Sequence, residues 1–110
     1  MTDAATIADL NDRFRKEPTR HGNAYTTDGV AEHGPAFVAK AFAGVAAFDA
    51  FSADNDPWGE HDFGSFELEG EKLFWKIDYF DKHDPDLGAE DPSNPTTTQR
   101  VLTIMLADEY

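Results

Sequence analysis

The stretch "GSFELEGEKLFWKIDYF", residues 64–80, decides the fold. Before Gly70, Phe66 and Leu68 alternate with Ser65, Glu67 and Glu69; after it, Leu73, Trp75, Ile77 and Tyr79 alternate with Phe74, Lys76, Asp78 and Phe80. Successive side chains on a strand point to opposite faces, so the two runs read as the arms of a β-hairpin with one apolar face. A two-residue loop Gly70-Glu71, with Gly where a type II′ turn wants it, sets Glu69 against Lys72, Leu68 against Leu73, Phe66 against Trp75, Gly64 against Ile77 and Asp62 against Tyr79. Starting the loop one residue earlier also keeps the faces matched, whereas a three-residue loop would set apolar against polar.

A lone hairpin is marginal in water, so it needs a neighbouring strand and a covering layer. The segment "RVLTIMLADEY" at the end of the chain offers the strand. Its Leu102, Ile104 and Leu106 alternate with Val101, Thr103 and Met105, as in a strand covered on both faces. A helix over 97–107, started by a capping box at Thr96-x-x-Gln99, is the rival; the needs of the hairpin favour strand. Residues 3–16 read as an amphipathic helix, with Ile7, Leu10 and Phe14 on one side, Thr2 as N-cap and Pro18 as stop. "NAYTT" reads as a short strand followed by a turn at Asp28-Gly29. Residues 35–51 form the clearest helix, with Pro35 in its first turn and a stripe of Phe37, Val38, Ala41, Phe42, Val45, Phe48 and Phe51. The expected architecture is a single α+β domain over 1–110, with two helices packed on one face of a small, mainly antiparallel sheet of three or four strands.

Charge narrows the functional classes. The chain carries 22 acids and 9 bases, a net of −13. Residues 1–48 hold six acids and five bases, and residues 49–110 hold sixteen acids and four bases. Affinity for nucleic-acid phosphate and for anionic membranes comes from Lys and Arg, so neither is an expected partner. A basic protein is. With no Cys, disulfides, thiolate metal sites and cysteine nucleophiles are excluded. No apolar run reaches the roughly 18 residues of a membrane span, and "MTDAATIADL" does not read as a signal peptide, so a soluble cytoplasmic protein is expected.

The segments "NDPWGEHDFGSFE", "LFWKIDYFD" and "RVLTIMLADEY", in that order, resemble a family of short bacterial proteins known only as a domain of unknown function. The similarity runs over roughly Leu10 to Tyr110 and is densest from Asp54 onward. It implies a cytoplasmic protein of about this length, often encoded on plasmids and other mobile elements, and it brings no catalytic residue.

The hairpin register also places candidate site residues. "DNDPWGEHD" enters its first strand and "DKHDPDLGAED" leaves its second, so both are expected at its open end. That end gathers Asp54, Asp56, Glu60, Asp62, Asp81, Asp84, Asp86, Glu90 and Asp91, with Trp58, His61 and His83 among them and Lys82 as the lone base. Asp54, Asp56, Trp58, Glu60, Asp62, Asp81, Asp84 and Asp86 are the candidate partner-binding residues. The expected function is that of a non-catalytic acidic interaction protein with no cofactor, of the kind that mimics nucleic acid and inhibits a basic DNA- or RNA-handling partner, as in anti-restriction or anti-CRISPR activity. The alternative is a metal-dependent enzyme or metal-binding protein, with His61, His83 and nearby carboxylates holding a divalent ion. The spacing does not favour it: against an EF-hand loop, Trp58 stands at a ligand position and Ser65 replaces the bidentate Glu. No nuclease Glu-x-Lys pair and no phosphate-cradling glycine loop is present. Ordinary turn chemistry accounts for many of the same residues: Asp54, Asn55 and Asp56 suit turns, and Asp62 is placed to accept from the Tyr79 hydroxyl.

Overall fold

A computed structural model describes residues 3–110. The helix read from the first residues is α1, Ala4–Lys16, and Asp3 caps it by accepting from the Thr6 N–H at 3.2 Å. Thr2, the expected N-cap, lies outside the described residues. Ile7, Asn11 and Phe14 are fully buried along one side of α1, while Leu10 is only partly covered. Two short helices were not anticipated. Pro18, expected as a stop, instead opens α2, Pro18–His21, its fixed φ suiting a first turn. The Asp28-Gly29 turn is the start of α3, Asp28–Ala31, which buries Val30. The second expected helix is α4, Pro35–Ala47, shorter by a turn; Phe48 leaves it with extended backbone.

The sheet has four strands: β1 (Asn23–Thr26), β2 (Phe63–Leu68), β3 (Glu71–Asp81) and β4 (Thr98–Leu106). Their order is β1-β4-β3-β2, and β1 runs parallel to β4 while the other pairs are antiparallel. The sheet is therefore mixed. Hairpin geometry fixes the direction only of strands it joins, and β1 reaches the sheet through the distant β4. A short 3₁₀ turn, Ala107–Glu109, follows β4. One face of the sheet, carrying Leu73, Trp75, Ile77, Leu102 and Ile104, packs against Phe14 of α1, Val30 of α3 and Phe37, Ala41 and Val45 of α4. The other face is half-open, with Phe63, Phe74 and Tyr110 clustered at ring separations of 5.1–5.7 Å.

The hairpin forms with the loop one residue earlier than the favoured register. Phe66 faces Leu73, Gly64 faces Trp75 and Glu67 faces Lys72. Glu69 and Gly70 occupy the loop with φ of 51° and 86°, the two positive values of a type I′ turn. Packing explains the choice. The favoured register would set Phe66 against Trp75 on one rung; the observed one sets Gly64 there, where an added Cβ would lie 2.5 Å from the indole nitrogen. Phe66 moves to the neighbouring rung and packs on Gly44 of α4. Glu69 consequently pairs with Lys40 at 2.8 Å, not with Lys72. No helix among the described residues is long and apolar enough to cross a membrane.

Candidate functional site

The two acidic segments are built separately. Strand β3 outruns β2, and the chain before β2 folds beneath α1, with Ile77 N–H donating to the Asp62 carbonyl at 2.8 Å. Asp62 therefore stands opposite Ile77 and not Tyr79; it is Glu60 that accepts from the Tyr79 hydroxyl, at 3.2 Å. Asn55 closes the turn by accepting from Ser52 N–H and donating to the Ala50 carbonyl. Asp56 is buried and accepts from the N–H groups of Glu60 and His61, so its carboxylate staples the loop. Asp54 is exposed, and Trp58, 80% exposed, stands clear of the core.

His61 has a left-handed backbone, φ 57°, and its ring lies flat on Phe51 at 3.9 Å. Nδ1 is 3.0 Å from Asp12, which also accepts from Arg15 at 2.6 Å. Burial pushes the Asp12 carboxyl up, but the hydrogen bonds and charges of Arg15 and His61 outweigh it and hold the group below the usual range. Arg15 itself is buried, and its Nη1 donates to the Val45 and Phe48 carbonyls, capping the end of α4. Burial, then the charge of Glu60, raises Asp62 above the usual range.

The second segment, 81–91, leaves the end of β3. Asp81 accepts from the N–H groups of His83 and Asp84, Asp84 from that of Asp86, and Asp91 from that of Ser93. Sheet-like bonds hold the same stretch: Asp81 N–H donates to the Leu87 carbonyl, and Ala89 N–H to the Tyr79 carbonyl. Leu87, 56% exposed, sits at its centre. Among the described residues, Asp81, Asp84, Asp86, Glu90 and Asp91 form no ion pair. Lys82 turns its ammonium toward the Pro95 carbonyl, 3.4 Å away.

Among the described residues, no hydrogen bond or ion pair joins the two segments' side chains. His61 is engaged with Asp12, whereas His83 is exposed in its own turn. Among the described residues, no group of three or more His, Asp or Glu is arranged to hold a metal ion.

A buried polar network behind these segments escaped the sequence reading. Asn11, fully buried, donates to the Glu60 carbonyl at 2.9 Å and the Tyr79 hydroxyl at 2.8 Å, and accepts from Arg100 Nε at 2.7 Å. Arg100, 3% exposed, also donates to the Pro92 carbonyl and lies over the Tyr79 ring. Burial raises the Tyr79 hydroxyl far above its ordinary value, so it stays a donor at all working pH; burial also lowers the Arg100 guanidinium. A signal existed for Asn11 and Arg15: both fall on the inward side of α1 with Ile7 and Phe14.

No curated protein and no solved structure matches the chain. A family described as "Protein of unknown function (DUF3768)" matches residues 26–109, a span that takes in α3, α4, β2 through β4 and both acidic segments but leaves out α1, α2 and all of β1 except Thr26. The chain belongs to that family.

Proposed function

We propose that this is a non-catalytic interaction protein whose acidic segment, Asp81 to Asp91, docks on a basic protein partner. One observation carries the reading: five carboxylates on this segment form no ion pair with a described residue while its backbone is held by turn and sheet hydrogen bonds. A surface already ordered before binding gives up little conformational entropy on docking, and unpaired charge of one sign steers and selects an oppositely charged partner. Leu87 supplies an apolar contact at the centre of the segment, and Trp58 a second exposed anchor beside Asp54.

The finer form of the proposal is nucleic-acid mimicry. Rows of fixed carboxylates occupy a groove that otherwise holds phosphates, which duplex DNA presents at one per ~1.7 Å of axis. The plasmid and mobile-element setting that the sequence resemblance implies in bacteria suits an inhibitor of host DNA- or RNA-handling proteins, of the anti-restriction or anti-CRISPR type, acting in the cytoplasm.

The test is capture of a partner from host lysate by the protein and by a variant with Asp81→Asn, Asp84→Asn and Asp86→Asn. Asparagine keeps the oxygen that accepts from the turn N–H groups and removes the charge. The expected partner is released by salt, displaced by duplex DNA and lost by the variant. A partner retained by the variant and indifferent to salt overturns the proposal.

A further inference from the structure

On a chain with a net charge of −13, one pocket is lined, among the described residues, without a single carboxylate. The described residues that line it include Arg13, Arg20, Lys82 and Arg100, four of the chain's nine Lys and Arg, together with His21. The pocket is a half-open cleft of about 520 Å³, within the roughly 300–1,000 Å³ range of small-molecule sites. It lies where α1 and α2 meet the start of β4 and the segment before it. Gly22 forms part of the wall, its backbone so close to the Arg100 carbonyl and the Phe14 ring that a Cβ would collide with both.

Arg100 makes the pocket more than a chance grouping of surface bases. Its guanidinium is buried, yet among the described residues no carboxylate lies within ion-pair distance of it. Nε and one terminal nitrogen, Nη2, donate to neutral oxygens of Asn11 and Pro92, and Nη1 makes no hydrogen bond with a described residue. The charge of Glu60 reaches Arg100 only from beyond ion-pair distance, and an anion in the pocket would supply a closer counter-charge to this buried cation. The remaining bases are available. Among the described residues, Arg13 is paired only with Asp9 on its own helix, and Arg20 and His21 only with Glu17, all as exposed contacts of the kind that yield readily to a stronger acceptor. Lys82, the lone base of the acidic segment, holds nothing firmer than the Pro95 carbonyl at 3.4 Å.

We infer that this pocket binds a small molecule through a phosphate group. A phosphate carries up to two charges and three acceptor oxygens, which matches several cationic donors and the Thr19 and Gln99 side chains on the same wall. The volume of this half-open pocket and the acidity of the rest of the molecule favour a small ligand over a polynucleotide. The inference stands apart from the proposed docking of the acidic segment, and either can fail alone.

The test is a titration of the intact protein with inorganic phosphate, and in parallel with a single-stranded oligonucleotide, against chloride at matched ionic strength. Binding is followed by amide chemical shifts. Saturable phosphate binding is expected, with the shifted amides centred on Thr19, Gly22, Gln99 and Arg100. The exposed Arg20→Gln and Lys82→Gln substitutions should each weaken it about tenfold, as the loss of a charge-assisted hydrogen bond does. They leave the buried network untouched, so Arg100→Lys is needed only as a third variant, retaining charge but losing the planar fork. No saturable response beyond chloride, shifts centred elsewhere, unchanged affinity in the Arg20 and Lys82 variants, or binding of the oligonucleotide without binding of phosphate would each overturn the inference.

Discussion

Asn11 and Arg100, 89 positions apart in the chain, meet at 2.7 Å in the interior, where Arg100 forms no ion pair with a described residue. This contact ties α1 to β4, and through Asn11 Nδ2 it also fixes the Glu60 loop and Tyr79. Replacing Asn11 by Leu keeps the volume, takes their Asn11 partner from Arg100 Nε and the Glu60 carbonyl, and leaves the Tyr79 hydroxyl only its bond to the Glu60 carboxylate. The expected loss is about 2–4 kcal/mol, since each buried group left without a partner costs about 1–3 kcal/mol and some relax toward water. Asp9→Ala, on the exposed side of the same helix, should change stability by less than about 0.5 kcal/mol. Urea denaturation of the two variants makes the comparison.

The register of the hairpin has its own test at Gly64. Gly64→Ala places a methyl group 2.5 Å from the Trp75 indole nitrogen and 2.9 Å from the Phe48 ring. Overpacking of this kind should destabilise by about 1–3 kcal/mol, with a change in Trp75 fluorescence. In the register with Gly64 opposite Ile77, the substitution would be mild.

The turn offers a gain. Glu69 holds a left-handed backbone, φ 51°, that Asn adopts more readily, and Asn-Gly is the preferred type I′ pair. Glu69→Asn also gives up the exposed ion pair with Lys40, so the substitution belongs in a Lys40→Met background. There it should stabilise by about 0.5–1 kcal/mol, read as a rise in Tm.

Two aspartates respond to pH with opposite sign. The folded state holds Asp12 below its ordinary value, so its contribution is present above the ordinary carboxylate range and fades as pH falls through the lowered folded value. Asp12→Asn should therefore destabilise at neutral pH by about 1–2 kcal/mol, a figure discounted for partial exposure, and much less in acid. Asp62 is raised, so its charge opposes folding above the carboxylate range. Asp62→Asn should stabilise at neutral pH by at most about 1 kcal/mol and be neutral in acid. Thermal unfolding across pH 3–7 checks both signs, a window set by ordinary carboxylate values near 4.

Strong local periodicity made three of the four strands and the two long helices legible. Alternation at 64–80 and 98–106, and the stripes of α1 and α4, name their own partners. What was not legible depended on packing between distant segments. Two registers of the hairpin satisfy its pattern equally; the contact of Phe66 with Gly44, on a different element, separates them. The direction of β1 depends on β4, which lies far along the chain. The candidate site suffered from the same limit. The two acidic loops leave their strands at different levels, because β3 continues through Asp81 while β2 begins at Phe63 opposite Lys76. Polar core residues are the hardest to read, because Asn11 and Arg100 look like surface until the groups that satisfy them are seen.

The strand at the centre of the sheet is the last to be made. β4 lies between β1 and β3, so β1 has no partner until residues 98–106 leave the ribosome. At synthesis rates of about 5–20 residues per second that wait lasts several seconds, during which a nascent chain exposes the inner faces of its helices. A message truncated before Thr98 would yield a product that holds a hairpin and helices but cannot close its interior, and quality-control proteases would meet it as an unfolded chain.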